Sequence, residues 1–130
     1  MVNSVDWKNQ QEHINVLYLS AKTALEFLKI GFQPVIIVDT FSGNKLEGVL
    51  TALGDMHKEV TIRIFGLHVA EEVLKKRIDL RTDDEFKEID VCRKLNRDVL
   101  KRPYDGEILI DTSPLLPMQT AAKIKSILEL

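Results

Sequence analysis

Four β-branched residues in an unbroken row, Val35-Ile36-Ile37-Val38 behind Pro34, constrain this chain more than any other stretch. Branching at Cβ crowds a helix and suits the pleated surface of a strand. A run that is apolar at every position, not every second one, suits a strand covered on both faces, as parallel strands in α/β sheets are. Helical patterns flank it. Over 10–30, Ile14, Leu17, Tyr18, Ala21, Leu25 and Leu28 recur at three- and four-residue spacings, and Gly31 supplies the stop. Beyond the run, Ser42 and Gly43 can cap a helix over 44–53, which Gly54 ends before a polar turn at 55–59.

The alternation continues. A strand is predicted over 60–65, followed by Gly66 and a helix over 70–80 with Val73, Leu74 and Ile78 inward. A further helix over 83–100 uses Phe86, Ile89, Leu95 and Val99, and Pro103 marks its end. The third strand is predicted over 107–111. The last helix covers 117–130, with Ala121, Ile124, Ile127 and Leu128 inward. Strands separated by helices imply right-handed crossovers. The expected fold is therefore a single α/β domain over 1–130, a three-layer, mostly parallel sheet flanked by helices.

Composition narrows the partners. With 45% hydrophobic and 29% charged residues the chain falls in the ordinary globular class, and 130 residues suit one core. A formal net charge of -2 supplies no overall basic field, so general nucleic-acid binding is not expected. Cys92 is the only cysteine, which excludes an intramolecular disulfide and a cysteine-rich zinc site. The apolar runs fall far short of the roughly 20 residues that a bilayer demands, so no membrane partner is expected. The polar stretch 1–11 lacks the apolar core of a secretory signal, and a cytoplasmic location is expected.

Ligands of open parallel sheets sit beyond the carboxyl ends of the strands, where helix N-termini also point. That rule selects Asp39-Thr40-Phe41-Ser42-Gly43, the stretch 65–69, and Asp111-Thr112-Ser113. An acid at a buried strand tip is costly without a cation or hydrogen-bond donor, so Asp39 is a candidate for holding Mg²⁺ through water or accepting a substrate proton. The competing reading makes it a turn cap. Arg77 and Arg81 stand four residues apart on one helix face and can clamp phosphate oxygens; Arg93 and Arg97 repeat the spacing. Equally, such pairs form solvated faces balanced by Asp79, Asp83, Asp84, Glu85 and Asp90. His13, His57 and His68 fall in different elements without metal-ligand spacing and read as solvated or capping residues, so no metal site of the chain's own is expected. Cys92 reads as a packed helix residue.

The succession of a strand ending in Asp39-Thr40, a helix, a strand ending in Gly66, Leu74-Lys75-Lys76-Arg77-Ile78-Asp79-Leu80-Arg81, an Arg-bearing helix, and Ile108-Leu109-Ile110-Asp111-Thr112-Ser113 before a closing helix resembles the later two-thirds of small P-loop kinases. Those acting on nucleotides, polynucleotide ends and antibiotics come closest. The resemblance spans about 32–130 and implies a truncated P-loop NTPase fold with ATP and Mg²⁺ as cofactors and a nucleotide or small-molecule hydroxyl as substrate. By the same resemblance Arg77 and Arg81 touch the phosphates, with Arg93 and Arg97 as helpers. Asp39 lies near the metal and the acceptor hydroxyl, Thr112, Ser113 and Pro114 near adenine, and Asp6 and Trp7 on the substrate side.

One departure is plain. Nothing reads G-x-x-x-x-G-K-[ST]; in Ser42-Gly43-Asn44-Lys45 the first glycine position is Asp39, the second Asn44, and the metal-binding hydroxyl Leu46. The family's first strand and phosphate-binding loop are thus absent from this sequence. Two functional readings follow: kinase-type phosphoryl transfer, incomplete in this chain, or a non-catalytic binding or oligomerisation module, since unpaired strand edges favour a homo-oligomer.

Overall fold

The computed structural model describes residues 10–43, 45–54, 59–101 and 104–130. Two compact units divide the chain, Met1–Ile62 and Arg63–Leu130.

In the first unit, helix α1 (Gln10–Lys29) buries Leu17, Ala21 and Leu25, a four-residue repeat that keeps one stripe against a neighbour. That neighbour is α2 (Lys45–Leu53), which buries Leu46 and Val49. Leu17, Ala21 and Val49 form the core, with Phe41, Ala52 and Leu53 packed on it. Burying a leucine of this kind contributes about 2 kcal/mol. The end of α1 follows from Gly31, whose φ of +98° a Cβ would oppose. Its N–H donates to Leu28 O at 3.1 Å and that of Phe32 to Phe27 O at 3.1 Å, while the Phe27 and Phe32 rings meet edge-on at 5.5 Å. The two bonds and the ring contact together close a Schellman turn.

The second unit holds two short strands, β1 (Phe65–His68) and β2 (Ile108–Asp111), joined through α3 (Glu71–Asp79) and α4 (Ile89–Lys101). They pair in parallel, Phe65 opposite Ile108 and His68 opposite Asp111. Ile110, 1% exposed, and Ile78 are buried here. Gly66 lets the layers close, because a Cβ there would lie 2.6 Å from Glu107 Oε1, 2.8 Å from Leu109 Cδ2 and 3.0 Å from Val99 Cγ1. Helix α5 (Pro117–Ile127) follows, with proline in its first turn where no N–H is needed.

This architecture corrects the expected fold class. Among the described residues the only sheet has two strands, and helix predominates, so the chain does not form a three-layer, mostly parallel sheet of truncated P-loop NTPase type. The run 35–38 enters neither a helix nor a ladder, and Ile36 and Val38 are 69% and 88% exposed. Strand propensity without a partner strand produces no sheet. The strand expected over 60–65 lies at 65–68, where Leu67 finds Ile110 across the pair. The helix expected from 83 begins at Ile89. Thr82 and Glu85 close a local turn instead, the Thr82 N–H and hydroxyl each donating to Glu85 Oε1 at 3.0 Å, and Arg81 takes the Phe86 carbonyl. On the last helix Ala121 and Ile127, expected inward, are exposed, and Thr120 is its buried residue. The turn residue His57 and the helix-ending Pro103 lie outside the described residues.

Candidate functional site

At the carboxyl end of the strand pair, hydrogen bonds build a corner. The Thr112 N–H donates to His68 O at 2.8 Å, and the Thr112 hydroxyl reaches the same oxygen at 3.0 Å, extending the ladder past β2. Opposite, the Asn96 side chain of α4 accepts from Val69 N–H at 2.9 Å and donates to Val69 O at 2.7 Å. One amide thereby substitutes for a strand neighbour and fixes α4 against the end of β1. Asp111 Oδ1 accepts from the Ser113 hydroxyl at 2.6 Å and the Ser113 N–H at 2.9 Å. These bonds, the hydroxyl foremost, hold the Asp111 carboxyl below the usual carboxylate range, helped by His68 and Lys123. The Ser113 hydroxyl also accepts from Ala70 N–H at 2.8 Å, tying β2's tip to the start of α3.

Arg77 completes the corner. Its Nη1 donates to the Thr112 hydroxyl at 3.1 Å, and its Nη2 donates to Thr112 O at 2.7 Å, Leu115 O at 3.2 Å and Ser113 O at 3.5 Å. Of the residues singled out by the sequence, Arg77, Thr112 and Ser113 therefore meet. The other arginines do not join them. Arg81 donates from Nη1 to Phe86 O at 2.6 Å, Arg97 pairs with Glu71 at 2.5 Å, and Arg93 lies 3.7 Å from Asp90. The Arg93 Nε is buried without a hydrogen-bond partner. Asp6 and Trp7 lie outside the described residues.

These residues fit a nucleotide phosphate in part. Arg77 and the amides of Val69, Ala70 and Ser113 already serve the chain's own oxygens. Arg81, expected one turn further along the same helix face, instead follows the C-cap Leu80 of α3, commits a single N–H to a carbonyl and keeps further donors. Among the described residues no three His, Cys, Asp or Glu side chains converge as metal ligands.

Asp39 belongs to a second constellation, within the first unit. Its Oδ1 accepts from Thr40 N–H at 2.6 Å and lies 2.9 Å from His13 Nε2. On the other side of the ring, His13 Nδ1 is 2.8 Å from Lys45 Nζ. With Lys45 donating to Nδ1, the imidazole's own N–H faces Asp39, which gives a continuous Lys45–His13–Asp39 chain. Lys45 is 7% exposed. Burial pushes its ammonium below the usual lysine value, and the Asp39 charge offsets part of that effect. The positive end of α2, whose first residue is Lys45, acts in the same direction as burial. The sequence reading took His13 as a solvated or capping residue and Lys45 as part of a helix cap, and did not bring the two together. The available signal was spacing, since His13 stands four residues before Leu17 on α1's buried stripe and Lys45 four before Val49 on that of α2.

Comparison with family models, curated proteins and solved structures returns no significant match. No helix among the described residues is long and apolar enough to cross a membrane.

Proposed function

We propose that this chain serves ATP-dependent phosphoryl transfer of the kinase type, with a nucleotide or small-molecule hydroxyl as acceptor, and is incomplete for turnover because its sequence contains no phosphate-gripping loop. The observation that carries the reading is the Arg77 guanidinium bound to the Thr112 hydroxyl and the Thr112 and Leu115 carbonyls. It ties the crossover helix α3 to the loop after β2, the place where ligands of parallel strands bind. In this reading Arg77 is a positioning residue that shapes the loop. Arg81, with donors to spare, is the phosphate contact, and Arg93 and Arg97 assist by charge. ATP and Mg²⁺ are the cofactors implied; together they supply the transferable group and neutralise its charge.

Calorimetric titration of ATP, with and without Mg²⁺, tests the reading. Saturable heat that Arg81→Ala weakens by about tenfold or more supports it. Absence of saturable heat in both conditions defeats it.

A second reading, a binding or oligomerisation module without phosphoryl transfer, draws on a different observation. The β-branched run 35–38 has no strand partner among the described residues and is exposed at Ile36 and Val38, which suits strand addition by a second copy. Light scattering on the eluting protein separates the readings. A dimer dispersed by Ile36→Lys with Val38→Lys favours the module, and a monomer removes it.

A further inference from the structure

Beside Lys45, between α1 and α2, lies a cavity of about 270 Å³ lined by Ile14, Lys45, Glu47, Gly48 and Thr51. Its size is at or below the lower end of small-ligand pockets, which run from roughly 300 Å³ upward. The lining is chemically unusual. A lysine on a buried helical stripe places its amine 2.8 Å from His13 Nδ1, and the far side of that ring is held by Asp39 at 2.9 Å. Nucleophile, base and orienting carboxylate in hydrogen-bonded succession form the general pattern of an activated nucleophile.

We infer that Lys45 is a covalent binding site for a small neutral aldehyde or ketone, captured as an imine with His13 as the proton acceptor and Asp39 as the residue that positions His13. The Nζ lone pair attacks the carbonyl carbon, a C–N bond forms, and the carbonyl π electrons move to oxygen. His13 Nδ1 takes one proton from nitrogen and delivers it to the oxygen, giving the carbinolamine; the second nitrogen proton follows the same route to the hydroxyl, and water leaves as the C=N bond forms. Amine plus carbonyl gives imine plus water, with no external oxidant or reductant. The lowered ammonium pKa, due first to burial, agrees with this role because only the free amine attacks. Glu47 in the lining disfavours an anionic 2-oxo acid, and the small volume disfavours a large ligand. This site lies wholly within the first unit and stands independently of the phosphate reading.

The test is reductive trapping. The full chain is treated with propanal and sodium cyanoborohydride near neutral pH, and the propylated lysines are located by peptide mass spectrometry. Surface lysines such as Lys22 and Lys94 are internal competitors, so accessibility alone favours them over Lys45, which is 7% exposed. The expected result is early modification at Lys45, slowed by about tenfold or more in His13→Gln. Asp39→Asn slows it too and shifts its pH profile, and Asp39→Glu restores part of the rate. Modification spread over the exposed lysines with Lys45 spared overturns the inference, whether or not the variants fold. Trapping at Lys45 by glyoxylate but not by propanal overturns the ligand class.

Discussion

The Arg77 guanidinium donates to the Thr112 carbonyl at 2.7 Å, across 35 positions of sequence, and so binds the last turn of α3 to the loop that follows β2. The same head group holds Leu115 O and the Thr112 hydroxyl. Hydrogen bonds from a charged donor to part-buried carbonyls contribute roughly 1.5–3 kcal/mol, and removing the donor leaves those carbonyls unsatisfied. Arg77→Ala is therefore expected to lower stability by about 2–3 kcal/mol in urea denaturation. Arg77→Lys recovers only part, since one ammonium cannot reproduce the planar fork. A loss below about 0.5 kcal/mol, the size typical of surface changes, contradicts this assignment.

Gly66 is required for packing. An added methyl meets the Glu107 carboxylate, Leu109 and Val99 at distances from 2.6 to 3.0 Å. Gly66→Ala is expected to cost about 1–3 kcal/mol through overpacking, while Gly48→Ala, on α2 with open space at its Cβ, is neutral or stabilising. Chemical denaturation of the two variants in parallel checks the contrast.

Much of the helical framework was legible because it rests on local rules. Periodic apolar positions and Gly31 mark α1, and Pro117 opens α5, both within a few residues of where the structure has them. The run 35–38 misled because β-branching reports suitability for a strand, whereas a strand exists only with a partner, and the sequence does not announce a missing one. The boundary near 83 misled for another reason. Thr82 and Glu85 carry a capping pattern, but Arg81 claims the Phe86 carbonyl that a continuing helix would need. At the site, Thr112 and Ser113 were legible as polar groups at a strand end, and Arg77 through its four-residue spacing from Arg81. Asn96 was not, because its bridge to Val69 spans 27 positions without a local motif.

Lys45 makes stability depend on pH in a definite direction. Its ammonium pKa in the folded chain lies below 10.5, the ordinary lysine value that holds in the unfolded chain. Between the two values the unfolded chain binds more protons, so stability rises with pH. Below that window the full cost of burying the charge is present. The stability difference between Lys45→Met and the natural chain should therefore be largest near neutrality and narrow as pH approaches 10.5, measured by urea midpoints across the series. A difference constant with pH contradicts the lowered value.

Glu129 ends α5 with a φ of +59°, where its N–H donates to Ser126 O at 3.1 Å and that of Leu130 to Lys125 O at 3.1 Å. The geometry is that of the Gly31 turn with a side chain in the left-handed position. Glu129→Gly should raise stability by about 0.5–1 kcal/mol, visible as a small increase in Tm, because glycine adopts that conformation without steric cost.

The central claim, that nucleotide phosphates meet the arginine-bearing corner at the end of β1 and β2, is tested most directly by following backbone amide resonances during titration with ATP and Mg²⁺. The account predicts saturable shifts at Thr112 and Ser113 of the corner and at Arg81 just past the end of α3, with Arg81→Ala abolishing most of the response. Shifts confined to the first unit, or none at saturating nucleotide, would contradict it.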